Sequence, residues 1–420
     1  MSISIGCIAD DFTGATDVAG MLVRAGMRTV QTIGVPSRPL TARADAVVIA
    51  LKSRTSPAHI AVADTLAALA YLRDAGCRQI YFKYCSTFDS TEHGNIGPVI
   101  DALMGALDAS FTIACPAFPE NNRTIYKGHL FVGDTLLSES GMRHHPLTPM
   151  TDSNLVRVLQ RQTARPVGLI DFGTVAKGAQ AIRDRMAELQ AEGMRIAIVD
   201  ALSNADLLQI GAAGSALPLL TGGSGLALGL PQNFPGFEAS AEAGDSLQAP
   251  KGLRAILCGS CSQATRAQLA DLIARGTPAY AIDPARLIND EDLVADALSW
   301  ASTRLPDGPV AVYATAEPER VQWLQERLGV EQAGAAIEQT LAGIAQGLVN
   351  LGVRQLIVAG GETSGAVVTA LEIPGLLIGP QIDPGVPWTI SLGDKAIALA
   401  LKSGNFGSVD FFSKAWDHLP

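Results

Sequence analysis

Short β-rich runs alternate along this chain with longer stretches in which apolar residues recur at helical spacing. Ile3 to Ala9, Ala46 to Leu51, Gln79 to Tyr84, Phe111 to Ala114, Val167 to Ile170, Ile196 to Val199 and Leu217 to Leu220 are of the first kind. Ala15 to Ala25, a stretch opened by Pro57 and stopped near Gly76, and Ile96 to Leu107 are of the second. A strand that is apolar on both faces must be covered on both faces, as in a parallel sheet flanked by helices. Tyr126 to Glu139 breaks the rhythm and reads as a hairpin or flap. Residues 231–251, PQNFPGFEASAEAGDSLQAPK, carry no sustained period and read as a linker. Alternation then resumes. Leu253 to Leu257, Ala279 to Ile282, Val310 to Tyr313 and Leu356 to Val358 read as strands, and Gln263 to Ala274 as a helix. Ile337, Leu341, Ile344, Leu348 and Leu351 form one helical stripe. From Ile378 the tail mixes short strands with turns. The pattern predicts an α/β protein of two domains, each a mainly parallel sheet flanked by helices. Residues 1–230 form the first, 231–252 the linker and 253–420 the second.

Composition narrows the classes. Apolar residues make up 48% of the 420 positions and charged ones 17%, which is globular usage. The net charge of −10 comes without a basic stripe, so nucleic acid is not an expected partner. No apolar run reaches the roughly 18–20 residues that span a bilayer. The opening Met1 to Ile5 has no basic segment, so no leader is expected and the chain is placed in the cytoplasm. Six scattered cysteines suit a reduced interior. Homo-oligomerisation stays open.

In open α/β sheets ligands bind beyond the carboxyl ends of strands. Those turns are rich in polar groups here. They read Asp10-Asp11-Phe12-Thr13-Gly14, Lys52-Ser53-Arg54-Thr55, Ser86-Thr87-Phe88-Asp89-Ser90 with Lys83 just before, and Pro119-Glu120-Asn121-Asn122-Arg123. Each residue alone has a plainer reading, since Asp is a common helix N-cap. As a set they suit a small polyhydroxylated acid. Lys52, Arg54, Lys83 and Arg123 would hold its carboxylate, while Asp and Asn would read its hydroxyls. Thr221-Gly222-Gly223-Ser224-Gly225 adds a turn whose backbone N–H groups could face an anion.

In the second domain, Cys258-Gly259-Ser260-Cys261-Ser262 and Gly360-Gly361-Glu362-Thr363-Ser364 each lead from a strand into a helix, and Ser403-Gly404-Asn405-Phe406-Gly407 lies near the end. Small residues at helix starts suit polyphosphate, because the backbone can approach and hydroxyls can donate. None matches the P-loop. Cys258 and Cys261 lack the second ligand pair of a zinc site, and the histidines fall in no metal or triad spacing.

These motifs, in this order, resemble the four-carbon acid sugar kinases. The resemblance rests on Ile8 to Ala15, Lys52 to Arg54, Phe82 to Thr91, Gly222 to Gly225, Gly259 to Ser262, Gly360 to Ser364 and Leu401 to Gly407. Asn95 to Pro98, Leu130 to Asp134 and Pro384 to Trp388 are most similar to the 3-oxo-tetronate branch, with threonate and erythronate kinases as near relatives. The resemblance implies a sugar-acid domain followed by a nucleotide domain. It implies ATP-dependent phosphorylation of the terminal (C4) hydroxyl of a four-carbon acid. It also implies that Ser260, Gly360 to Thr363 and Gly404 hold ATP, with Ser262 and Ser403 beside them.

The expected substrate contacts are Lys52, Ser53, Arg54, Lys83, Asp89, Arg123, Gly223 and Ser224. Asp11, or else Asp10, would take the hydroxyl proton, and Mg²⁺ would bridge phosphate oxygens with Glu362 as a water-mediated ligand. Two other classes compete: a two-lobed solute-binding protein, and an oxidoreductase resting on Cys258/Cys261 or the Gly223 turn.

Overall fold

The computed structural model describes residues 3–419 apart from 41–42, 146, 235–236, 241–246, 284–285, 287–291, 316–322, 324 and 394–395. It divides into two compact units, Met1–Ala243 and Gly244–Pro420. Part of the predicted linker, 235–236 and 241–246, lies outside the described residues.

The first unit contains strands β1 (Ile5–Ala9), β2 (Thr29–Ile33), β3 (Ala46–Ala50), β4 (Gln79–Lys83), β5 (Thr112–Cys115), β6 (Arg123–Tyr126), β7 (His129–Val132), β8 (Thr135–Leu136), β9 (Val167–Ile170), β10 (Ile196–Val199) and β11 (Leu219–Gly222). Eight of them form a parallel run in the order β2-β3-β1-β4-β11-β5-β10-β9. Helices α1 (Phe12–Arg24), α2 (Ala58–Asp74) and α3 (Ile96–Ala106) follow β1, β3 and β4. Ile5, Cys7, Ile8 and Val47 to Ile49 are fully buried, as the continuous apolar runs require. The chain runs from β1 outward to β2, returns through β3, and then crosses to β4 on the other side of β1. That reversal opens a crevice at the carboxyl ends of β1 and β4, where Ala9 pairs with Lys83.

Two features differ from the sequence reading. β2 was not among the expected strands, because its middle residue is polar. Gln31 is fully buried there, and its Nε2 donates to Phe12 O at 3.4 Å. The break at Tyr126 to Glu139 belongs to a three-stranded antiparallel sheet, β6-β7-β8, which starts earlier, at Arg123.

The second unit contains β12 (Leu253–Cys258), β13 (Ala279–Ala281), β14 (Val310–Tyr313), β15 (Val353–Ala359), β16 (Gly375–Asp383), β17 (Val386–Ser391) and β18 (Ala398–Lys402). Their order is β13-β14-β12-β15-β18-β17-β16. The first five are parallel, and the tail adds antiparallel pairs at β16-β17 and β17-β18. Trp388 anchors its core and is fully buried, its indole N–H donating to Ala415 O at 2.8 Å. The chain again reverses direction, this time between β12 and β15. Both sheets are therefore mainly parallel, each with one switch point.

Candidate functional site

At the switch point of the first unit, Arg54 is the hub. Its Nε and Nη2 donate to both carboxylate oxygens of Asp10 at 2.9 and 2.8 Å, and Nη2 also reaches Asp11 Oδ1 at 2.7 Å. Nη1 lies 3.9 Å from Asp89 Oδ2. The backbone fixes this arrangement. Asp10 O accepts from the N–H groups of Ser53 and Arg54, and Asn95 Nδ2 donates to the carbonyls of Ser53, Arg54 and Ser56. Asp11 is also the N-cap of α1, accepting from Gly14 N–H at 3.1 Å and from the Thr13 hydroxyl at 2.9 Å.

The two neighbouring carboxyls are driven apart. Burial raises the pKa of Asp10, against the pull of Arg54. Burial acts on Asp11 too, but the charges of Arg54 and Lys83 and the bonds from Thr13 and Gly14 outweigh it and hold its carboxyl below the usual range. Arg54, expected to grip a ligand, is thus largely engaged by carboxylates of its own chain. Lys83 is buried at the end of β4 against Gly14, its Nζ 2.7 Å from where a Cβ on that glycine would stand. Lys52 is exposed and Ser53 buried.

Around this hub lie the other expected contacts. Phe88 and Asp89 both adopt positive φ, 65° and 41°. Such non-glycine residues cost roughly 1–3 kcal/mol each and collect at ligand sites. Asp89 accepts from the Thr87 hydroxyl at 2.7 Å. Arg123 begins β6, bonds to Asn121 O, and keeps a buried Nε with no partner among the described residues. Gly223 packs so tightly that a Cβ would stand 2.6 Å from Pro116 O, and Tyr81 donates its hydroxyl to Gly223 O. Ser224 is fully buried, and its hydroxyl has no partner among the described residues.

One residue absent from the expected set belongs with these. Asp17, on α1, is buried and faces Lys83, Ser224, Asp11 and Arg123, and burial pushes its pKa up to about 6. Its signal in the sequence is a carboxylate between the apolar positions Ala15 and Val18 of an otherwise buried helix face.

At the switch point of the second unit, the small-residue turns meet. Gly259 and Ser260 N–H both donate to Ala359 O, and Gly360 N–H donates to Lys402 O at 2.8 Å. Ser262 caps the helix Gln263–Ala274, and its hydroxyl donates to Gly404 O at 2.6 Å. A Cβ on Gly404 would stand 2.4 Å from Ser260 Oγ, and one on Gly259 would stand 2.0 Å from Thr363 Oγ1. Gly360, at φ 129°, precedes the helix Gly361–Ala370, whose first turn carries exposed Glu362 and buried Thr363. Ser403 leads into the same cluster.

Lys402, also missing from the expected set, is fully buried, and its Nζ donates to the carbonyls of Ser403, Gly404 and Phe406 at 2.9–3.0 Å. Cys258 is buried, with its thiol pushed up to about 12 by desolvation, and none of the six cysteines forms a disulfide. Reactive thiols need a lowered value.

Residues 5–230 match the family model of a sugar-binding N-terminal domain, and residues 255–412 that of a nucleotide-binding C-terminal domain. The 3-oxo-tetronate kinases of Burkholderia multivorans and Pseudomonas fluorescens are each 60% identical, over 98% and 99% of this chain and 96% and 97% of theirs. The chain belongs to the four-carbon acid sugar kinase family. Members of this family are phosphotransferases with an alcohol acceptor, which displaces the binding-protein and oxidoreductase alternatives. Among solved structures, a Salmonella typhimurium LT2 protein carrying a provisional tRNA synthase name is 45% identical with a TM-score of 0.89 over the whole of both chains. Haemophilus influenzae HI1011 is 45% identical with a TM-score of 0.79 over 99% of this chain. The switch-point clusters fall one in each matched segment.

Proposed function

We propose that the protein is a cytoplasmic, ATP-dependent kinase that converts 3-oxo-tetronate to 3-oxo-tetronate 4-phosphate. The observation that carries this is 60% identity to enzymes of that name over nearly the full length of both chains. The chemistry of the first unit supports it, because Lys83, Arg123, Asp89 and Ser224, grouped near the carboxyl ends of its strands, offer both charge and hydrogen bonds to a small hydroxy acid. Consistent with a cytoplasmic place, no helix among the described residues is long and apolar enough to cross a membrane.

Phosphoryl transfer depends on positioning and charge neutralisation. Lys83 and Arg123 hold the carboxylate in this reading, with Lys52 at the exposed rim and Ser53, Asp89 and Gly223 shaping the pocket. Asp11 orients the C4 hydroxyl and receives its proton late in the transfer. Arg54 and Asp10 hold Asp11 in place. The turns Ser260 to Ser262, Gly360 to Thr363 and Ser403 to Gly404 receive the ATP phosphates. Among the described residues no group of three or more His, Cys, Asp or Glu forms a cation cage. Glu362 would hold Mg²⁺ through water in this reading, and the ion would supply charge neutralisation when bound.

A coupled ADP-release screen over D-threonate, D-erythronate and their 3-oxo forms tests the substrate. The highest kcat/KM is expected with a 3-oxo acid, and a preference for threonate or erythronate would replace this reading. Gly404→Ala tests the nucleotide turn. Its methyl meets Ser260 Oγ, so the KM for ATP is expected to rise about tenfold, a loss of about 1.4 kcal/mol. The KM for the sugar acid should stay within twofold. An unchanged ATP KM would remove this turn from the nucleotide site.

A further inference from the structure

Among the buried polar atoms of the first unit that lack a hydrogen-bond partner among the described residues are Asp17 Oδ1, Ser224 Oγ and Arg123 Nε. They come from α1, from the turn after β11 and from β6; α1 packs against the turn that carries Ser224, and the Arg123 charge acts on the Asp17 carboxylate. The Ser224 hydroxyl lies beside the carboxylate but outside hydrogen-bond geometry. Buried polar groups in folded proteins are almost always satisfied, so orphaned ones that cluster point to a missing ligand. The neighbouring carboxylates offer a contrast. Asp10 and Asp11 are occupied by Arg54, Thr13 and Gly14, whereas Asp17 keeps an oxygen in reserve. An anionic acceptor beside a hydroxyl, with a guanidinium whose charge reaches them, is complementary to a carbon chain carrying both hydroxyl and carboxylate.

We propose that Asp17 accepts a hydrogen bond from a non-reacting oxygen function of the sugar acid, a hydroxyl or the hydrate of its 3-oxo group. Ser224 Oγ and Arg123 Nε complete that end of the pocket. Asp17 is thus a specificity-determining contact, distinct from the pair that handles the C4 hydroxyl. The inference rests on the sugar-acid reading given above. The charged and titratable groups facing Asp17 are Lys83 and Tyr81 from β4, Asp11 from α1 and Arg123 from β6. Burial outweighs the two cations and raises its pKa to about 6, so the carboxylate is ionised at neutral pH but costs stability there.

The full chain carrying Asp17→Asn provides the test, with KM values for both substrates, calorimetric binding of D-erythronate and D-threonate, and melting curves at pH 7.5 and pH 5. The sugar-acid KM is expected to rise at least 30-fold while the ATP KM stays within twofold. The melting midpoint should rise at pH 7.5, where the wild-type carboxylate is charged, and that gain should shrink at pH 5. Ser224→Ala, a small truncation, should raise the sugar-acid KM at least fivefold with no loss of stability. A sugar-acid KM within threefold of wild type in Asp17→Asn overturns the inference. So does a parallel loss of stability and of both affinities, which marks a purely structural role. A wild-type enzyme that phosphorylates no four-carbon acid overturns the parent reading, whereas an active wild type with an indifferent Asp17 overturns this inference alone.

Discussion

Arg54→Met abolishes turnover and destabilises the protein by about 3–5 kcal/mol, the usual cost of leaving a buried charge without its partner. The guanidinium satisfies both oxygens of Asp10 and one of Asp11, and Asp10 is only 6% exposed. Methionine fills part of the volume and supplies none of those donors. The pH dependence follows from the same geometry. In the wild type, Asp11 is held below its ordinary value, so its ionised form stabilises the fold above the carboxylate range, and that contribution fades as pH falls through the lowered value. Asp10, raised by burial, acts in the opposite sense. Without Arg54 both carboxyls rise. The variant's deficit is then largest at neutral pH and shrinks on acidification, as each carboxyl takes up a proton. Urea unfolding at pH 7.5 and pH 5 reads this directly. Arg54→Lys keeps the charge but loses the fork, so it recovers part of the stability and little of the activity. A methionine variant as stable as wild type at pH 7.5 would show that Arg54 does not hold the pair.

The turns proposed to carry the chemistry are legible because parallel strands announce themselves. Continuous apolar runs located β1, β3, β4, β12 and β15, and strand ends then pointed to Asp10, Lys83, Ser260 and Gly360. What the sequence could not display is who pairs with whom. Arg54 reads as a free cation for a ligand, and only the register of β1 beside β3 brings it onto Asp10, 44 positions away. The left-handed pair Phe88 and Asp89 carries no glycine to mark it. β2 escaped because buried Gln31 interrupts its apolar run. Asp17 and Lys402 are masked in the sequence for a related reason. Each charge sits inside an element that otherwise reads as apolar packing, one in α1 and one at the end of β18. A charged residue within an otherwise apolar element is the signal that marks both.

Lys402→Met weakens ATP binding about 100-fold, close to 2.8 kcal/mol, and leaves D-erythronate binding in the absence of nucleotide unchanged. The ammonium bonds to three carbonyls of the segment Ser403 to Phe406 and reaches the Thr265 hydroxyl at 3.3 Å. Gly404 O is shared further with the hydroxyls of Ser262 and Thr265. Turning those carbonyls inward onto one cation fixes the segment beside Ser260, and methionine offers the carbonyls nothing. Arginine would not rescue the site, because a planar fork cannot replace a compact point charge among converging carbonyls. Desolvation lowers the Lys402 pKa to about 8, with Cys258 and Asp383 opposing it. From there up to the ordinary lysine range, the unfolded chain binds more protons than the folded one, so stability rises with pH. Nucleotide affinity should move the other way, because the neutral amine has fewer protons for the same acceptors. Calorimetric titration of ATP between pH 6.5 and 9.5 should therefore show wild-type affinity falling above about pH 8. Lys402→Met should be weak and flat across that range. Wild-type affinity that is level to pH 9.5, together with normal binding by Lys402→Met, would reduce the lysine to core filling.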